Sequence, residues 1–280
     1  MNAPSEQSKV EYRRAIVTFL DVLGFREIVK KGDAARVKSV LDTVARFTGS
    51  EDDDELSPVA VRFSDSIVRV RFLDGLNAES PAGLVFHEIM DMVHAQAELV
   101  KHDVVLRGAV SVGEIYQEQE IVFGPALVRA YELETKFALY PRIVVDPFLL
   151  NATLHDPSLG SAHHDPATDR QYIRNLLRRG ENGFWFVDYL FAVTTEFDEP
   201  ELEGLFLEHH KKLVTSRYAD AATRATAIDK ILWLARYHNS RIAKLSDPWL
   251  DAYNLKRDAL TITTKELPDL ARLPRRKPTL

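Results

Sequence analysis

The stretch Ala15-Ile-Val-Thr-Phe-Leu-Asp21-Val-Leu-Gly-Phe25 constrains this chain more than any other. An apolar run rich in β-branched and aromatic residues enters a carboxylate and then a glycine turn. Such a run suits a strand buried on both faces, and ligands gather beyond the carboxyl ends of central strands. Asp21 therefore reads either as a ligand-site acid or as the cap of a helix starting near Arg26.

A second acid bears on that choice. In Val59-Ala-Val-Arg-Phe-Ser-Asp65-Ser-Ile-Val-Arg-Val-Arg-Phe72, Val59, Val61 and Phe63, then Val68, Val70 and Phe72, alternate with other residues around Ser64-Asp65-Ser66. The pattern predicts a β-hairpin with Asp65 at its tip, where an ordinary turn aspartate is also common. Strand, helix, hairpin, helix, strand is the order of a split βαβ sheet, in which the second hairpin strand runs antiparallel beside the first strand. Asp65 is then expected beside Asp21. Two bare carboxylates so placed repel unless cations intervene, and paired metal ions are the natural counter-charge.

Composition narrows the remaining classes. The chain has 280 residues, 36 Lys and Arg against 42 Asp and Glu, and a formal charge of −6, which argues against a broad nucleic-acid face. It contains no cysteine, so any metal is held by oxygen or imidazole. The polar N-terminus lacks a signal-peptide core, and no stretch approaches the ~18 apolar residues of a membrane span. The expectation is a cytoplasmic protein.

Along the chain, helices are predicted over 25–31 and from Asp33 to Gly49, followed by a solvated acidic loop, Glu51 to Glu55. Ser80-Pro81 has the pattern that opens a helix, whose buried stripe is Ile89, Met90, Val93, Ala97 and Val100. Val104 to Gly113 reads as a strand, Glu114 to Gly124 as a further hairpin, Pro125 to Ala138 as a helix, and Arg142 to Asp146 as the last core strand. The expected division is a core over 13–150 and an extension over 151–280. The extension holds a surface loop at His163-His164-Asp165, a hairpin of Tyr172–Arg179 and Phe184–Val193, and helices over about 200–217 and 221–245. His209 and His210, beside Lys211 and Lys212, are placed on a solvated face. The tail from Leu273 to Leu280 reads as a frayed end.

With both acids placed, the chain resembles the class III adenylate and guanylate cyclases over about residues 13–146. Phe19-Leu-Asp-Val-Leu-Gly-Phe25 resembles the first metal motif, and Ser64-Asp65 falls at the second metal aspartate. Arg107-Gly108 through Gly113 resembles the Arg-and-Gly strand. Gly124 through Ala130 to Leu133-Glu134 resembles the last motif helix. Short segments such as Ala130-Tyr-Glu-Leu-Glu134 are most similar to the bacterial pyrimidine cyclases of Pycsar anti-phage defence.

The resemblance implies an α+β fold, a ferredoxin-like βαββαβ core with an extra hairpin and C-terminal helices. It implies two divalent metal ions, Mn2+ or Mg2+, on Asp21, Asp65 and the Val22 carbonyl, and a nucleoside triphosphate substrate. Phe19 would wall the nucleotide pocket, and the Leu23, Gly24 and Phe25 turn would take its phosphates. It implies a homodimer with composite sites. Where purine cyclases carry base-reading polar residues, this chain has Val61 and Ile121, which leads to the expectation of a pyrimidine, UTP before CTP. Where the family has Asn and Arg on the last motif helix, it has Val128 and Glu132, so Arg129 or Lys136 is expected to supply the positive charge. A purine cyclase, a degenerate nucleotide-binding module and a non-catalytic assembly protein are the alternatives.

Overall fold

The computed structural model describes residues 10–49, 58–74, 83–195, 200–221 and 225–272. The acidic run Glu51–Glu55, the Ser80-Pro81 pair and the tail from Leu273 lie outside the described residues.

The elements follow in the order β1 (Arg13–Val22), α1 (Phe25–Lys31), α2 (Ala34–Thr48), β2 (Val59–Phe63), β3 (Ser66–Phe72), α3 (Leu84–Lys101), β4 (Leu106–Glu118), β5 (Ile121–Phe123), α4 (Pro125–Phe137), β6 (Ile143–Val145) and α5 (Pro147–Ala152). Beyond them come α6 (Pro166–Asn175), β7 (Leu177–Arg179), β8 (Trp185–Val187), α7 (Tyr189–Ala192), α8 (Pro200–Ala221) and α9 (Ala225–Ile242). Two short helices, α10 (Asp247–Ala252) and α11 (Arg257–Leu260), complete the order. This is the expected α+β class. The strands lie in the order β2-β3-β1-β4-β6-β8-β7, with β5 paired to β4 off that path.

The long apolar run becomes the middle of the sheet. β1 pairs antiparallel with both β3 and β4, and β6 joins β4 in parallel. Ala15 to Leu20 are buried throughout, as a strand covered on both faces requires. Alternation then divides the side chains. Ile16, Leu20 and Val22 enter the large core shared with α3, whereas Ala15, Val17 and Phe19 pack with Val68, Val70 and with Ala126 and Ala130 of α4. Gly108 is demanded by close approach: a Cβ there would stand 2.4 Å from the Phe19 carbonyl oxygen.

The large-core side of β1 buries one polar group, Thr18, which donates to Glu88 of α3 at 2.7 Å. Glu88 is also bound by Arg69 and Arg71 of β3, and all three charged side chains are buried. This network ties α3 to the sheet behind the site.

Two expectations are corrected. Residues 172–175 end α6 instead of opening a hairpin, because Asp165 and Pro166 begin a helix: the Asp165 carboxylate accepts from Ala167 N and Thr168 N. The hairpin that remains is short, Leu177–Arg179 with Trp185–Val187, and its second strand pairs with β6, extending the core sheet. Residues 189–192 turn helical. His210 is not solvated but fully buried, with Nε2 2.8 Å from the Tyr189 hydroxyl and its ring stacked on His238 at 5.1 Å. His210 falls at helical spacing with the buried Phe206, Leu207, Leu213 and Val214, a stripe that the adjoining lysines obscure in the sequence. Among the described residues no helix is long and apolar enough to cross a membrane.

Candidate active site

Asp21 sits at the end of β1 on the same face as Phe19, as two-residue periodicity requires. It does not cap the following helix: Gly24, with φ of 82°, occupies the N-cap position of α1 and offers no side-chain bond. Across one ladder Asp21 pairs with Ser66, the residue after Asp65, and the backbone N–H of Val22 donates to Asp65 O at 3.2 Å. The hairpin tip therefore lies against the end of β1. The nearby Asp65 charge acts on Asp21.

Across the other ladder stands Arg107. Its Nε donates to Asp21 Oδ2 at 2.8 Å, and the same nitrogen lies 2.6 Å from Glu134 Oε1. Because Nε carries one hydrogen, directed to Asp21, Glu134 Oε1 gains charge attraction without a hydrogen bond and remains a buried oxygen with no donor. Glu134 arrives from α4, whose small Ala126 and Ala130 let the helix lie close on the sheet. Burial raises the Asp21 carboxyl above its ordinary value against the pull of Arg107, and burial does the same to Glu134. The site thus gathers Asp21 and Glu134 at one guanidinium, with the Asp65 charge near Asp21.

Beside the acids, Phe19, Val68 and Val61 align in one cross-strand row, and Phe19 meets the Tyr131 ring edge-on at 5.5 Å. Val61 is 4% exposed within this row. The turn from Leu23 to Phe25 follows directly, with Leu23 N bonded to Val105 O at 2.8 Å. Phe19, Asp21, Val22, Leu23, Gly24, Phe25, Val61 and Asp65 are therefore brought to one edge of the sheet.

The others are not. Arg129 makes a bidentate pair with Asp146 at 2.8 and 3.0 Å. Asp146 N bonds Val110 O, and Val110 pairs with Thr18, three residues short of Asp21. That separation is roughly 10 Å along the strand. Lys136 pairs with Glu132 at 3.0 Å on the exposed side of α4. Ile121 pairs with Glu118, eleven positions along β4 from Arg107. Sequence reasoning did not single out Arg107 and Glu134 as site residues. Their signal was present in the Arg-Gly and Leu-Glu pairs, but only the register and the seating of α4 reveal that they meet Asp21.

Two carboxylates and a backbone carbonyl are hard oxygen donors suited to Mn2+ or Mg2+. Among the described residues no group of three or more His, Cys, Asp or Glu is placed to hold a metal. Ions of this kind are ordinarily held by one or two carboxylates with substrate phosphates completing the shell, so Asp21 and Asp65 fit a cation that arrives with a nucleotide. Their mutual repulsion fits it as well.

No protein-family model matches the chain, and no curated protein matches it. Among solved structures, the adenylyl cyclase CyaB from P. aeruginosa is similar at 12% identity over 63% of this chain and 94% of its own, with a TM-score of 0.38. The dimeric guanylyl cyclase domain of the RhoGC fusion protein from the aquatic fungus Blastocladiella emersonii is similar at 14% identity, over 63% and 94%, also at 0.38. A bacterial light-regulated adenylyl cyclase is similar at 14% identity, over 48% and 76%, at 0.35. Likeness at this level carries over no activity, substrate or assembly.

Proposed function

We propose that this chain is a nucleotide cyclase, a phosphorus–oxygen lyase that converts a pyrimidine ribonucleoside triphosphate, UTP before CTP, to its 3′,5′-cyclic monophosphate and pyrophosphate. The observation that carries the reading is the meeting of Asp21 and Asp65 at the end of the central strand, beside a glycine turn. Bound divalent ions at Asp21, Asp65 and the Val22 carbonyl would supply charge neutralisation for the attacking 3′-oxygen and the departing pyrophosphate.

The chain's own residues do the rest. Arg107 neutralises Asp21 in the nucleotide-free protein and is placed to exchange its carboxylate partners for phosphate oxygens. With the Leu23 N–H held by Val105 O, the turn presents the Gly24 and Phe25 backbone N–H groups to the phosphates, and Phe19 with Val61 forms an apolar wall for the base. A polar purine reader would reject a base that leaves it unpaired, and Val61 carries no such group. Arg129, oriented by Asp146, and Lys136 supply positive charge to the site of a second copy, so the working unit is a homodimer. The apolar side chains Val59, Phe63, Val128 and Tyr131, each more than a third exposed, are suited to that contact. The physiological role we infer is second-messenger synthesis in anti-phage defence, in the cytoplasm.

Incubation of the pure protein with equal ATP, GTP, CTP and UTP and manganese, followed by chromatography, tests the reading. Cyclic UMP is expected as the main product; cyclic AMP or cyclic GMP would overturn the pyrimidine assignment. Asp21→Ala and Asp65→Ala should each remain folded and inactive, and turnover near the wild-type rate in either would reject the acid pair.

A further inference from the structure

The helices beyond residue 200 reach the acid site from outside the core. Arg217, on the last turns of α8, donates from Nη1 to Leu23 O at 3.2 Å and from Nη2 to Asp103 O. Leu23 begins the turn that leaves Asp21, and Asp103 belongs to the turn that leads into β4 and Arg107. One guanidinium therefore joins the two backbone segments that carry the charged pair of the site. The contact is close: a Cβ at Gly24 would stand 3.3 Å from Arg217 Nη1. Arg217 is half-buried at this contact, and burial lowers its pKa.

α9 arrives at the same edge. Trp233 stacks on Tyr140 at 5.6 Å, with ring planes 4° apart, in the loop that follows α4. Lys230, one turn earlier, shares that helix face, and its charge lowers the carboxyls of both Asp21 and Glu134. α9 thus brings positive charge to the acids, while α8 fastens the backbone beside them.

We propose that Arg217 is a positioning residue for nucleotide turnover, locking the Leu23-to-Phe25 turn so that Asp21, the Val22 carbonyl and the turn amides keep the geometry that phosphates need. The proposal rests on the cyclase reading above. It makes the C-terminal helical pair part of the catalytic unit. A misplacement of about 1 Å at such a turn costs on the order of 100-fold in rate.

The test compares Arg217→Ala and Arg217→Lys with Lys211→Ala, because Lys211 fastens the same helix to Ala259 O, Thr261 O and Glu266, none of them in the turn. Steady-state kcat and KM, thermal unfolding and hydrogen exchange of the amides from Leu23 to Arg26 are measured in the full chain. Arg217→Ala should lose about 100-fold in kcat, exchange faster at the turn and regain turnover with millimolar guanidinium. Arg217→Lys should fall between. Lys211→Ala should lower the Tm while keeping wild-type kcat and turn exchange. Wild-type kcat or unchanged turn exchange in Arg217→Ala, or equal loss of turnover in Lys211→Ala, overturns the assignment. A wild type inert toward all four triphosphates removes the cyclase reading and this inference together, whereas an active wild type with an active Arg217→Ala removes only the role of Arg217.

Discussion

Replacing Glu88 tests the buried charge network behind the site. Its carboxylate accepts from Thr18 Oγ1 at 2.7 Å, from Arg69 Nε at 3.0 Å and Nη2 at 3.2 Å, and from Arg71 Nε at 3.1 Å. The side chains of Glu88, Arg69 and Arg71 are only 1%, 2% and 7% exposed. Asp91 is the second acid of the group, bound to Arg69 at 2.5 Å and Arg71 at 2.7 Å, but it is 41% exposed. Glu88→Gln keeps the volume and removes the buried negative charge, leaving two guanidiniums to share Asp91. Stranding a buried charge costs about 3–5 kcal/mol; the surviving Asp91 contacts put Glu88→Gln near the lower figure, about 3 kcal/mol. Glu88→Ala adds an orphaned Thr18 hydroxyl, worth about 1 kcal/mol more.

Urea unfolding at pH 7, followed by tryptophan fluorescence, measures both. Although burial alone would raise the Glu88 carboxyl, Arg69 and Arg71 outweigh it and hold the group below the usual carboxylate range. A depressed acid stabilises above its unfolded pKa of about 4.3 and loses that contribution as pH falls through its folded value. The gap between wild type and Glu88→Gln should therefore narrow below about pH 4. A triple Arg69→Leu, Glu88→Leu, Arg71→Met variant, which strands no buried charge, should cost less than Glu88→Ala. A Glu88→Gln penalty under about 1 kcal/mol, or a triple variant worse than the single, would refute the reasoning.

The stacked pair His210 and His238 is held neutral by burial, which lowers both and brings His238 to about 4. Stability is then complete above the unfolded histidine value of about 6.5 and falls as pH drops from there toward 4, by about 3 kcal/mol for His238 alone. His238→Gln should flatten that slope of urea midpoint against pH, and a wild-type midpoint constant from pH 7 to 5 would contradict it. The proposed homodimer predicts a two-chain mass by light scattering at assay concentration. Tyr131→Glu should yield an inactive monomer, and a fully active wild-type monomer would end the composite-site reading.

The apolar run before Asp21, the alternation around Asp65 and the Gly32-Asp33 and Gly49 stops of α2 are local signals. The central strand, the hairpin and most helix limits were legible in the sequence for that reason. The expected neighbourhood of Asp21 and Asp65 followed from element order alone, because a hairpin strand that pairs beside β1 has few registers that keep its apolar side buried. Only the tertiary structure decided that Arg107 and Glu134 join Asp21, that Arg129 is drawn to Asp146, and that Arg217 reaches the turn from 194 residues away. Those contacts depend on strand register and on where whole helices seat, and a guanidinium or carboxylate reads the same in sequence whether its partner is water or a buried charge. His210 shows the same limit. A histidine beside two lysines looks solvated until a second helix covers it.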